Sequence, residues 1–171
     1  EMADSIFNEI EKRYVANKEV AKTASNYPSI LAGDNFQGTW YMPGGGSFNA
    51  VLFADAGIDY HFKDNGDAGS IGLDIETVLT RFHAVDLWFG SESDSYSELE
   101  GKGMKYLLLQ PVKNKRVFSN RNRITPGGGN DYFESAILFP DLLLRDLIKA
   151  SHPELLTDVE VTYLKPLNQR V

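Results

Sequence analysis

Short apolar runs rich in β-branched and aromatic residues alternate along this chain with segments whose apolar side chains recur every three or four positions. That alternation limits it to an α/β architecture with a mostly parallel sheet, because each crossover between parallel strands needs a helix to bury. Residues 2–22 read as an amphipathic helix, with Ala3, Phe7, Ile10 and Tyr14 in phase and Ile6 beside them. Asn26 to Pro28 break the pattern, and Ser29 to Gly33 reads as a buried strand. Thr39 to Met42 is a second extended piece. Ser47 suits the N-cap of a helix over 48–56, with Gly57 just past its end. Ile58 to Phe62 reads as a short strand, Asp64 to Gly72 as a polar loop, and Asp74 as the cap of a helix over 75–83. Val85 to Gly90 is a buried strand, Ser91 to Ser97 a polar loop, and Tyr106 to Leu109 fits either helix or strand. Arg116 to Ser119 is a further strand, and Pro140 opens a closing helix over 140–150. Val159 to Leu164 alternates weakly. In a sheet of this kind ligands sit outside the carboxyl ends of the strands. The segments after Met42, at Trp88-Phe89-Gly90 and from Asn120 to Gly129 therefore share one candidate rim.

The 171 residues suit one domain with its own core. A net charge of −7 argues against nucleic acid as a partner, since a phosphate backbone needs a basic face. The one basic cluster, Lys113, Lys115, Arg116, Arg121 and Arg123, reads first as a solvated loop and strand edge. With no cysteine, disulfides, thiolate catalysis and cysteine-ligated metals are excluded. No apolar run approaches the ~20 residues of a membrane helix. The chain opens at Glu1 within the helical pattern, which gives the expectation that it is a piece of something longer.

Pro-Gly-Gly-Gly occurs twice, at 43–46 and 126–129, beside Trp40-Tyr41 in one case and Tyr132-Phe133 in the other. A triple glycine is costly to order and belongs where the backbone approaches something closely. The pair points to one cleft for a bulky ligand, lined by aromatics that offer large contact area at low entropic cost. Adjacent residues of a strand face opposite ways, so at most one of Trp40 and Tyr41 enters the core of a half-exposed strand. Neither run is a phosphate loop: Gly44 and Gly46 are followed by Asn49 where a dinucleotide fingerprint needs a small residue, and no P-loop lysine follows. A calcium loop begun at Asp64 fails at its twelfth position, Ile75. His61, His83 and His152 form no metal motif, and no Gly-x-Ser-x-Gly elbow is present. No catalytic residue can be named.

Taken together, Trp40-Tyr41-Met42-Pro43-Gly44-Gly45-Gly46-Ser47 and Ala54-Asp55-Ala56-Gly57 resemble the carboxyl-terminal lobe of periplasmic solute-binding proteins that feed ABC importers for iron–siderophores, haem and vitamin B12. Leu73 to Leu79, Val85 to Gly90, and the stretch from Val117 through Asn130-Asp131-Tyr132-Phe133-Glu134 to His152-Pro153-Glu154-Leu155-Leu156 extend that resemblance over nearly the whole chain. It implies a three-layer αβα lobe with a mostly parallel sheet, preceded by a long N-terminal helix. Residues 1–22 would be the connector between two lobes and 23–171 the C-terminal lobe, the N-terminal lobe lying outside the sequence. It also implies a non-catalytic carrier without a cofactor, acting as a monomer in the periplasm and open to lipid anchoring at the inner membrane. Its ligand would be a metal chelate (ferric siderophore, haem or cobalamin), handed to a membrane permease. By position in the motifs, the candidate ligand contacts are Trp40, Tyr41, Ser47, Trp88, Arg123, Tyr132 and Phe133, with Arg123 suited to an anionic ligand oxygen. Glu76, near a helix start, matches the family's permease-docking glutamate; an acidic residue there also stabilises the helix dipole. Two alternatives stay open: a small α/β hydrolase or transferase using the same rim, and an interaction domain with no small ligand.

Overall fold

Helix α1 (Met2–Ala21) leads into the rest of the chain in a computed structural model that describes residues 2–168, with the backbone alone at Met2. Its anchoring is polar. Arg13 Nε meets the buried Asp141 carboxylate at 2.6 Å, and Asn17 donates to the Asp141 carbonyl. The Tyr14 hydroxyl and Lys18 ammonium both reach Asp55, at 2.6 and 2.9 Å. The apolar stripe expected to bury the helix does so only toward its end: Ile10 and Tyr14 are half-buried and Ala21 is buried, while Ile6 and Phe7 face solvent. Among the described residues no helix is long and apolar enough to cross a membrane.

The central sheet has five strands, β1 (Ser29–Ala32), β4 (Asp59–Tyr60), β6 (Leu87–Ser91), β7 (Val117–Ser119) and β8 (Lys165–Pro166). Their order is β4-β1-β6-β7-β8, all parallel except the last pairing. Leu31, Trp88 and Val117 lie side by side in register and fully buried, which is why β1 and β6 read as continuous apolar runs. Helices α2 (Phe48–Asp55) and α7 (Pro140–Ser151) pack against each other, and α1 lies along α7. The alternation rule predicts the four parallel strands and these helices; β8 lies just past the weakly alternating 159–164 stretch and was not expected.

A second, antiparallel sheet departs from it. Strands β2 (Asp34–Phe36), β3 (Thr39–Pro43) and β5 (Ser70–Leu73) pair in the order β2-β3-β5. Ser70 to Gly72, expected as loop, is thus strand. Short helices α4 (Tyr96–Lys102), α5 (Gln110–Lys113) and α6 (Asp131–Ser135), with a 3₁₀ turn at Met104–Leu108, fill segments expected as loop or left open. Helix α3 (Ile75–Phe82) starts where Asp74 predicts it, the carboxylate accepting from the Thr77 N–H at 2.6 Å. Ser47 caps α2 through the Ala50 N–H in the same way.

Candidate functional site

The carboxyl ends of β1, β6 and β7 open onto one cavity of about 290 Å³. Its floor is Ala32-Gly33, Phe89-Gly90 and Asn120, the residues that end or follow those three strands. Gly33 and Gly90 both take positive φ, +82° and +90°, and lie against each other. A Cβ on Gly33 would fall 1.8 Å from the Tyr41 carbonyl oxygen, so only glycine lets β1 pass this close to β3. The walls come from β2, β3, α2 and α6: Asn35, Phe36, Tyr41, Asn49, Tyr132 and Phe133, with Asp34 and Glu92 at one side. Phe36, Tyr41 and Phe133 are exposed by 60, 46 and 72%, forming an apolar rim.

Asp34 begins β2 nearly buried and joins the rim to β6. One oxygen accepts from the Asn35 N–H at 2.7 Å and the other from the Glu92 N–H at 2.8 Å. Burial raises its pKa against the opposing pull of those bonds and of Lys102, whose ammonium lies 3.9 Å away. Tyr132 donates to Asn49 Oδ1 at 3.2 Å and sets its ring edge-on to Phe89. Burial pushes its phenol up to about 12, with the Asn49 bond opposing. Among the described residues no three His, Asp or Glu side chains converge to hold a metal. The cavity offers shape, aromatic faces and amide hydrogen bonds.

Of the residues singled out in the sequence, the structure brings Tyr41, Tyr132 and Phe133 to this cavity. Four others need correction. Trp40 and Trp88 are wholly buried, their rings tilted against each other with centroids 5.0 Å apart, and their indole N–H groups donate to the Ala32 and Gly33 carbonyls. They support the floor from beneath and have no surface to offer a ligand. Ser47 is occupied as the α2 cap, and Arg123 pairs with Asp131 at 3.2 Å on a separate groove. Neither lines the cavity.

The glycine runs also part company. Residues 44–46 press against the 62–69 loop, with Gly44 N–H on the Gly69 carbonyl at 2.7 Å and Gly46 N–H on Asp67 at 2.9 Å. A Cβ on Gly45 would lie 2.1 Å from the Phe62 carbonyl oxygen. That run is an internal joint, with only Pro43 at the cavity. The second run is an open turn closed by Gly128 N–H on Thr125 and Thr125 N–H on Gly129. It returns the chain to Asn130, whose side chain caps α6 by accepting from the Tyr132 N–H. Tyr132 and Phe133 are thereby aimed at the cavity.

Sequence reasoning missed Asp34, Asn35, Phe36, Asn49 and Glu92. Asn120 and Phe89 lie on the rim segments that the carboxyl-end rule picks out in the sequence, and both line the cavity. Glu76 stands apart, exposed in the first turn of α3 and ion-paired with Lys105 at 2.6 Å. That hydrogen bond from Lys105 holds its carboxyl below the usual range.

No protein-family model and no curated protein sequence matches the chain. Solved structures do match it in shape. One is a TroA-like periplasmic binding protein, FepB from Veillonella parvula, with a TM-score of 0.67 and 17% identity over 97% of this chain and 56% of that one. Helicobacter pylori CeuE with Ni(II) bound gives 0.65 at 15% identity, over 92% of this chain and 48% of that one. The periplasmic haem-binding protein RhuT from Roseiflexus sp. RS-1 gives 0.57 at 19% identity, over 89% and 56%. The chain thus spans about half the length of the structures it resembles. The likeness is one of fold: an N-terminal helix and a mixed α/β unit with a mostly parallel central sheet, as in about half of a TroA-like periplasmic solute-binding protein.

Proposed function

We propose that this chain is the ligand-gripping half of the solute-binding component of an ABC importer. Residues 1–22 act as the connector and 23–171 as one lobe, with a metal chelate (an iron–siderophore, haem or a cobalamin-type ligand) held between this lobe and a second one in the periplasm. The observation that carries the reading is the cavity at the carboxyl ends of β1, β6 and β7, open on one side and rimmed by exposed aromatics. Half a cleft of about 290 Å³ suits one face of a bulky ligand. A metal would arrive inside its own chelator. The role is carriage rather than catalysis: Asp34 and Tyr132, the perturbed groups at the cavity, are engaged in holding β6 and α2.

Glu76 is the docking point for the permease. It is exposed at a helix start, where an arginine of a partner can replace Lys105 as its cation. Uptake of radiolabelled chelate by cells carrying Glu76→Ala in the complete binding protein should fall several-fold, with ligand affinity unchanged. Unchanged uptake would remove Glu76 from the docking surface.

A further inference from the structure

The charge of the cavity narrows the ligand. Not one residue lining it is lysine or arginine, while Asp34 and Glu92 are both acidic. The cations nearby are already engaged by carboxylates. Arg123 pairs with Asp131 at 3.2 Å, Arg121 with Asp94 at 3.6 Å, and Lys165 with Asp94 at 2.9 Å. Lys102 stands 3.9 Å from Asp34, outside the lining. Among the described residues no cation pairs with the exposed Glu92 carboxylate. A polyanionic ligand entering here would give up water against like charge and gain no cationic donor in exchange. Asn35, Asn49 and Asn120 accept through Oδ1 from Gly38, Tyr132 and Asn130, which leaves their Nδ2 amides to donate to the carbonyls of a ligand. The faces of Tyr41 and Phe133 favour flat apolar or positively charged groups.

We propose that this half of the cleft takes an uncharged or cationic metal chelate with amide-type oxygens or nitrogens on its surface, and discriminates against polyanionic chelates. The inference rests on the solute-binding reading and selects among the ligands that reading allows. It goes against the anion-pairing role first suggested by Arg123.

Three diamagnetic probes of different charge test it by heteronuclear NMR on the chain: the gallium(III) complex of desferrioxamine B, a monocation; cyanocobalamin, uncharged overall; and a gallium(III) tris-catecholate, a trianion. The monocation or cyanocobalamin should shift the amide signals of Gly33, Gly90 and Asn120, and the trianion should leave them in place. Glu92→Gln should lower the affinity for the monocation relative to cyanocobalamin about two- to fivefold, the size expected for one exposed charge. Glu92→Lys should bring the trianion in. Tighter binding of the trianion than of the other two by the unaltered chain would overturn the charge inference and leave the solute-binding reading standing. No shift with any probe would overturn both.

Discussion

Substituting Gly45 by alanine separates two loops that are identical in sequence. A Cβ there would lie 2.1 Å from the Phe62 carbonyl oxygen and 2.2 Å from that of Asn65. Both contacts are backbone, so no side chain can swing aside, and the 62–69 loop must retreat by about 1 Å to reach even a close contact. That retreat strains the hydrogen bonds from Gly44 to Gly69 and from Gly46 to Asp67. Overpacking of a tight site costs about 1–3 kcal/mol, and weakening two partly buried backbone bonds adds about 1 kcal/mol. A loss of about 2–4 kcal/mol should lower Tm by roughly 4–16 °C in a domain of this size. Gly127→Ala in the second run meets nothing within 4 Å and has no positive φ to violate. It should leave stability unchanged or raise it by about 0.4–1 kcal/mol through the unfolded chain. Thermal melts followed by circular dichroism measure both. Equal effects from the two substitutions, or an unaltered melt for Gly45→Ala, would refute the assignment of 43–46 as an internal joint.

Two further outcomes follow from buried and anchoring groups. The phenols of Tyr14, Tyr60 and Tyr132 are all raised, chiefly by burial, that of Tyr132 to about 12. Because unfolded tyrosine titrates near about 10, the unfolded chain loses these protons first. The stability they contribute is whole below about pH 10 and is lost as pH rises toward 12; alkaline unfolding by circular dichroism should show that decline, and a flat profile would contradict it. Arg13→Ala leaves the buried Asp141 carboxylate without its cation; because the guanidinium side is half exposed, the cost should be about 1–2 kcal/mol in urea unfolding, and no change would mean α1 is held by its other contacts alone.

What the residues made legible was local. Ser47 and Asp74 cap helices through atoms three residues away, so capping chemistry names those starts without knowledge of the fold. The continuous apolar runs of β1 and β6 announce strands covered on both sides. Helix α4 was also within reach, because Ser95 and Glu98 have Ser-x-x-Glu spacing and Ser95 Oγ accepts from the Glu98 N–H. The β2-β3-β5 sheet was not. Asp-Asn-Phe carries no strand pattern, and its pairing with Thr39–Tyr41 depends on the turn through Gln37, at φ 52°, and Gly38. The tryptophans show the same limit. Alternation separates Trp40 from Tyr41, but only the assembled core decides that Trp40 faces inward while Tyr41 looks onto the cavity. Asn49 reaches the cavity through tertiary structure alone and no local signal marks it, whereas Glu92 directly follows β6, where the carboxyl-end rule points.

The place where ligand is held can be read directly with the iron(III) complex of desferrioxamine B, whose unpaired electrons broaden the amide signals nearest the metal. Titrated into the labelled chain, it should broaden Gly33, Gly90, Asn120 and Tyr132 first, around the carboxyl ends of β1, β6 and β7. Broadening centred on the groove formed by Asn122, Arg145 and residues 158–162, with the four cavity amides unaffected, would contradict the assignment of this cavity as the ligand site.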